Sequence, residues 1–315
     1  MQKTAVINRQ GKNSFLRRLR RDIVIHKYKY LLILPVLIYL AIFAYKPMYG
    51  LVIAFKQFRP NRGIWGSKDV GLLHFETFFN DVYFTRLLVN TFTISGLNIL
   101  FGFPAPIILA LMLNEIRSRK FKRTVQTITY MPYFISLVVA CSLIKIYSQS
   151  NGLFSQVSVA FGGTAENFLI NPGYFVPIYI ISGIWQYIGW NSIIFLAALS
   201  AINQEEYESA CIDGANRFQQ MLHVTLPGIL PTIMILLILR MGSILNVGYE
   251  KILLLYSSPV YEVSDVISTY VYRKGIESQQ YSYATAVGLF NSVVNVCFLL
   301  FFNWLSKRTT ESSMF

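Results

Sequence analysis

The groups that could do chemistry in this 315-residue sequence are few and scattered. His26, His74 and His223 each stand without a second acid, base or nucleophile nearby, so they offer no Ser-His-Asp or Cys-His arrangement. Cys141, Cys211 and Cys297 are far apart in sequence, with no pair placed for an extracellular disulfide and no set spaced for a metal. A Gly-x-x-x-x-Gly-Lys-Ser/Thr phosphate loop is missing, so no nucleotide site is expected either. What remains is binding chemistry. Trp185, Tyr187, Trp190 and Asn191 cluster in one apolar run, and aromatic faces beside amides are what a hydroxyl-bearing solute could stack on and hydrogen-bond to. The same spacing also serves helix packing or interfacial anchoring. Arg240 lies deep in another apolar run, where a charge costs about 2.5 to 3.5 kcal/mol at mid-bilayer, so it must face a cavity, a neighbour or an interface, with Asn246 or Glu250 as conceivable partners. Trp185, Tyr187, Trp190, Asn191, Arg240 and Asn246 are therefore the candidate lining of a pathway. Lys145 sits near a helix end and can snorkel.

The elements that must position these residues are membrane spans. The chain is 54% hydrophobic and 14% charged, and about 20 mainly apolar residues suffice to cross a bilayer as a helix. Apolar runs at about Tyr30–Phe55, Arg86–Asn114, Thr124–Tyr147, Tyr174–Ala201, Leu226–Tyr256 and Tyr281–Leu305 predict an all-α polytopic protein with six transmembrane helices. Lys46 and Pro47 interrupt the first run, but a snorkelling Lys and a tolerated Pro leave it one span. That run starts too late and is too long for the apolar core of a cleaved signal peptide, so it should remain in the mature protein.

Lys and Arg crowd the N-terminal arm 1–29, the connection holding Arg117, Arg119, Lys120, Lys122 and Arg123, and the tail 307–315 with Lys307 and Arg308. The connection Ser148–Gly173 has neither. Both termini are therefore expected in the cytoplasm, around a membrane domain 30–306. The net charge of +13 then reflects orientation and attraction to anionic lipid, and no nucleic-acid partner is expected. Phe75, Phe78 and Phe79 in an outward connection suit either a short interfacial helix with one face in lipid or a short buried loop helix.

One cytoplasmic segment, 203–227, reads as a helical hairpin. Asn203 is a good N-cap with Glu206 at the third helical position, and Glu205, Glu206 and Glu208 favour the positive end of the helix dipole. Asp213-Gly214 supplies the turn. Ala215, Phe218 and Leu222 then make a stripe on a second helix, before Pro227 and Pro231 lead into the fifth span. Small residues at Ser209, Ala210, Gly214 and Ala215 would let another protein approach closely.

This hairpin resembles the cytoplasmic coupling loop of ABC importer permeases, whose pattern is Glu-Ala-Ala, three residues, Gly, nine residues, Ile, one residue, Leu-Pro. Here Glu208-Ser209-Ala210, Gly214 and Val224-Thr225-Leu226-Pro227 stand in those places, with Ser for Ala and Val for Ile as the departures. Asp213, Ala215 and Pro231 match sugar-importing members. Pro47-Met48-Tyr49-Gly50, Asn90-Thr91, Met131-Pro132, Gly189-Trp190-Asn191 and Leu196-Ala197-Ala198-Leu199 extend the resemblance to permeases for complex oligosaccharides such as alginate or pectin fragments.

The resemblance implies a type I ABC importer permease fold in a bacterial plasma membrane, with no catalytic site and no cofactor of its own. It also implies a second related permease, two cytoplasmic ATPase subunits that bind ATP, an extracellular sugar-binding lipoprotein and an oligosaccharide substrate. Glu208 would make a polar contact with an ATPase, Gly214 would shape the turn, and the second helix would transmit ATPase closure to the spans. An ion-coupled secondary transporter is the alternative, but it calls for an internal repeat and an intramembrane carboxylate, and Glu250 is the sole central candidate.

Overall fold

The computed structural model describes residues 21–22 and 24–309. Most of the N-terminal arm and the end of the tail lie outside the described residues. The chain forms two units, residues 1–69 and 70–315.

In the first unit, helix α1 (Lys27–Phe55) runs unbroken for 29 residues. Pro47 lacks an N–H, and a wider π turn at Ala41–Tyr45 just ahead of it keeps the helix continuous, as the single-span reading requires. Strands β1 (Lys56–Arg59) and β2 (Gly63–Asp69) follow as an antiparallel hairpin in register Lys56↔Asp69, closed by a 2.7 Å ion pair between Lys56 Nζ and Asp69 Oδ1. This hairpin is the one departure from an all-α fold among the described residues.

The second unit holds α2 (Leu73–Phe79), α3 (Phe84–Glu115), α4 (Arg119–Tyr130), α5 (Leu137–Ser148), α6 (Leu153–Ala160), α7 (Pro172–Leu199), α8 (Gln204–Ile212), α9 (Arg217–Met241), α10 (Tyr249–Leu255), α11 (Tyr261–Ser264), α12 (Ile267–Tyr272) and α13 (Tyr281–Thr309). Helices α1, α3, α7, α9 and α13 are each long and apolar enough to cross a membrane, and the pair Arg119–Phe134 and Leu137–Ala160, bent by 98°, makes the count six when it is taken as one broken span. The third expected span is thus broken at its middle. Pro132 and the N-cap Ser136, whose hydroxyl accepts from Val139 N–H, restart the helix there, and the freed Ile135 carbonyl accepts from Gln186 Nε2 on α7 at 3.2 Å. The fifth expected span is corrected more strongly. Its helix begins at Arg217 and ends at Met241, and residues 242–248 are not helical.

Aromatic packing resolves the two readings of Phe75–Phe79. Phe78 is fully buried against Phe84, Tyr270, Tyr283 and Phe290, so α2 is the buried loop helix, with Phe79 half-exposed. The chain between α10 and α13 is fastened to the start of α3. Asn90 Nδ2 donates to the carbonyls of Glu262 at 2.8 Å and Asp265 at 3.0 Å, and Thr91 Oγ1 accepts from Ile267 N–H at 3.1 Å. The Asp265 carboxylate is 0% exposed and meets Arg273 in a bidentate pair at 3.1 and 2.6 Å, with Arg86 at 4.0 Å. Nearby, Asp81 accepts from the hydroxyls of Tyr270 at 2.5 Å and Tyr283 at 3.2 Å. Burial alone would raise the Asp81 pKa, but those hydrogen bonds, one from Tyr83 N–H and the charge of Lys274 together lower it below the ordinary carboxylate value.

Two outcomes follow from this fastening. Asp265→Ala leaves Arg273 half-buried without its carboxylate and should cost about 3 to 5 kcal/mol, whereas Glu115→Gln, which breaks the exposed pair with Arg217, should cost under about 1 kcal/mol; thermal unfolding in detergent compares them. Because the folded Asp81 pKa is depressed, its contribution to stability is complete above the unfolded value of about 3.9 and is lost as pH falls through the folded value. The unfolding midpoint of wild type should therefore drop as pH falls below about 4, and Asp81→Asn should blunt that drop.

Candidate functional site

Two places in the second unit carry the candidate residues. The first is the α8–α9 hairpin. Asn203 caps α8 by accepting from Glu205 N–H at 3.2 Å, one residue earlier than the expected partner position. At the other end the N–H of Gly214 bonds the Cys211 carbonyl at 3.1 Å and the N–H of Ala215 bonds the Ala210 carbonyl at 2.9 Å, the two bonds of a Schellman closure. That closure needs a left-handed residue, and Gly214 supplies it at φ +78. The next residue but one, Asn216, opens α9 through a capping box. Its Oδ1 accepts from Gln219 N–H at 3.0 Å, and Gln219 Oε1 accepts from Asn216 N–H at 2.8 Å. Asp213 is the C-cap of α8, so a complete stop and a complete start fit into Asp213–Asn216.

The sequence reading missed this second cap. An Asn followed three residues later by Gln was the available signal. It also ended the hairpin before the fifth span, but the second arm and the span are one helix. Leu226-Pro227 is carried inside α9 because the preceding turn Met221–Thr225 widens to π and takes up the missing Pro N–H. Tyr207 of the first arm hydrogen-bonds Thr225 at that turn, at 3.0 Å, and Arg217 binds Glu115 at the end of α3, also at 3.0 Å. Glu208 and Ser209 are exposed. Of the expected stripe, Ala215 is partly buried while Phe218, 63% exposed, and Leu222 stand out with Ile212 as apolar groups available to a partner.

The second place is a cavity of about 740 Å³ lined from α3, α7, α9, residues 243–248 and α10. Four of the six pathway candidates, Tyr187, Asn191, Arg240 and Asn246, line it, along with Glu250 and Lys251. Trp185 and Trp190 are outside the lining. Trp190 stacks flat on Tyr133 at 4.3 Å with 2° between the rings, and Trp185 is half-exposed. Neither Asn246 nor Glu250 pairs with Arg240 among the described residues; Asn246 Oδ1 instead accepts from Asn291 Nδ2 at 2.9 Å and Asn295 Nδ2 at 3.2 Å. The non-helical stretch here is clamped from both sides. Ser95 donates to the Ile244 carbonyl, and Asn295 Oδ1 accepts from Leu245 N–H at 3.0 Å. Irregular backbone at membrane depth is tolerable where it is so clamped and lines a cavity.

Residues 102–311 match the family of binding-protein-dependent transport system inner membrane components. Among known proteins, the chain is 43% identical to Protein LplB of Bacillus subtilis (strain 168) over 96% of its own length and 94% of that protein. It is also 43% identical to the polygalacturonan/rhamnogalacturonan transport system permease protein YteP of the same organism, over 95% of this chain and 94% of that one. A chain in the crystal structure of a bacterial alginate ABC transporter, in complex with an alginate pentasaccharide-bound periplasmic protein, superposes with a TM-score of 0.87 at 46% identity, covering 94% of this chain and 100% of that chain. The permease resemblance carried by Glu208–Pro227 is thereby met, and so is the type I permease fold.

Gly214→Ala tests the hairpin geometry directly. A side chain at φ +78 costs about 1 to 2 kcal/mol, although nothing lies within 4 Å of the added Cβ. Amide hydrogen exchange in residues 204–220 should speed up roughly tenfold, while the amides of α7 keep their rates.

Proposed function

This chain belongs to the family of binding-protein-dependent transport system inner membrane components, and from that premise we propose that it is the permease subunit of an ATP-driven importer of oligosaccharides. The carrying observation is the hairpin whose second arm continues without interruption into the α9 span that borders the cavity. A force applied at Phe218 or Leu222 reaches Arg240 through one helix, about 37 Å long at 1.5 Å per residue. The occupant of the hairpin on this reading is a cytoplasmic ATPase subunit, with Glu208 and the exposed Ile212, Phe218 and Leu222 as its contacts and Asp213, Gly214 and Ala215 holding the turn that presents them.

A second related permease completes the pathway, two ATPase subunits hydrolyse ATP, and an extracellular binding protein delivers the sugar. The cavity supports this reading, since Tyr187, Asn191 and Asn246 offer the aromatic and amide surface that hydroxyl-rich substrates use. The similar proteins named for polygalacturonan, rhamnogalacturonan and alginate support an oligosaccharide as cargo. The distribution of Lys and Arg supports a plasma-membrane location with both termini cytoplasmic and the hairpin on the same side.

The test is recovery of the tagged chain from its native membrane in mild detergent, wild type against Gly214→Asp, with ATPase assay of the co-purified proteins. Wild type should bring down an ATPase, and the variant should lose at least nine-tenths of it, because a charged side chain at a left-handed turn both strains and blocks the docking surface. An ATPase missing from both preparations would turn the search to ion-coupled transport.

A further inference from the structure

A buried ammonium with only neutral partners stands in the cavity wall. Lys251, on α10, is 6% exposed. Its Nζ donates to the Tyr179 carbonyl oxygen at 2.8 Å and lies 4.7 Å from the centroid of the Tyr179 ring. Among the described residues no carboxylate pairs with it. Asp265 is taken by Arg273 and Arg86, and Glu250, on the same short helix and in the same lining, forms no ion pair either. Arg240, the other cation in the lining, is equally without a carboxylate partner.

A carbonyl and an aromatic face satisfy one of the three ammonium donors and part of its field. The charge itself stays uncompensated in a low-dielectric wall, an arrangement that is costly and that marks substrate pathways in membrane proteins. Space is kept for a ligand at this point. Gly183 of α7 also lines the cavity, and a Cβ there would sit 3.2 Å from Lys251 Nζ, so the missing side chain leaves the ammonium uncrowded. An anion that arrives through the cavity is the group that would complete the site.

We propose that Lys251, together with Arg240, reads the carboxylate groups of an acidic oligosaccharide as it passes, so that the permease itself discriminates uronate-type sugars from neutral ones. The proposal rests on the sugar-importer reading above and adds to it a selectivity residue in the cavity wall. Lys251 supplies a fixed point charge held by Tyr179, and Arg240 supplies a second cation from α9, the helix that the hairpin moves.

The experiment uses the complete transporter in proteoliposomes, with its partner permease, ATPase subunits and binding protein. ATP-driven uptake is measured for a short galacturonate oligomer and for its methyl ester, which has the same backbone without the charge. Lys251→Gln should lower the acid-to-ester uptake ratio about tenfold through loss of a charge-assisted contact, Arg240→Gln should lower it in the same direction, and Lys251→Arg should keep most of it. The binding protein is common to all samples, so a changed ratio belongs to the permease. An unchanged ratio, or equal loss of both sugars in Lys251→Gln and Arg240→Gln, overturns the proposal. If Lys251→Gln fails to assemble, Arg240→Gln, exposed within the cavity, carries the test alone. Wild-type uptake of neither sugar would sink the importer-of-sugars reading as well, which distinguishes that failure from one confined to Lys251.

Discussion

Every peptide group at membrane depth must find a partner inside the protein, and in this chain that requirement falls hardest where a helix stops. Each interruption is closed by an amide or hydroxyl side chain from a neighbouring helix. Gln186 of α7 takes the Ile135 carbonyl at the break in the bent crossing. Ser95 of α3 and Asn295 of α13 take the Ile244 carbonyl and the Leu245 N–H where the fifth span ends. Asn90 and Thr91 do the same for Glu262, Asp265 and Ile267. Removing any one of them would leave a buried backbone group unpaired, at a cost of about 1 to 3 kcal/mol. The helices are therefore tied to one another at their weak points, and the tied break at residues 242–248 borders the cavity.

Continuity matters as much as interruption. The hairpin could have been a separate flap joined to the fifth span by a loose turn, and motion in it would then dissipate. Instead the Asn216 capping box starts a helix that continues through a π turn and two prolines to Met241. Its far end meets the clamped, non-helical residues 242–248. A stiff rod that ends on a clamped break is suited to switch between discrete positions, because packed interfaces resist continuous deformation. Gly189 gives the same kind of close fit elsewhere. A Cβ there would fall 2.1 Å from the Thr129 carbonyl, so α7 packs directly on α4, and Trp190 stacks on Tyr133 beside the contact.

The charges of the second unit divide by whether they are compensated. Asp265 is bound by two guanidinium groups and stabilises the end of the bundle opposite the hairpin, around the first turns of α3. Among the described residues buried Lys251 and the cavity-exposed Arg240 have no carboxylate partner, and both line the cavity.

Composition and hydropathy alone determined the membrane class and the apolar runs able to cross, since a run of apolar residues long enough to span lipid has few other places to be. The pattern Glu208 to Pro227 determined the family, and Asp213-Gly214 the turn, because only glycine adopts φ +78 cheaply. Asn90-Thr91 and Gly189-Trp190-Asn191 could be seen as marks of resemblance but not explained, because their partners lie far along the chain: 172 and 175 residues separate Asn90 from the two carbonyls it binds. The tertiary structure decided where the third and fifth spans break, since apolar residues continue across both breaks and hydropathy cannot see a carbonyl waiting for a neighbour's amide. It also decided which polar residues share the cavity. Tyr187, Asn191, Arg240 and Asn246 converge on it while Trp185 and Trp190 do not, and Lys251 joins them although it follows the break in the fifth span, because which face of a helix is wet depends on the helices packed against the others.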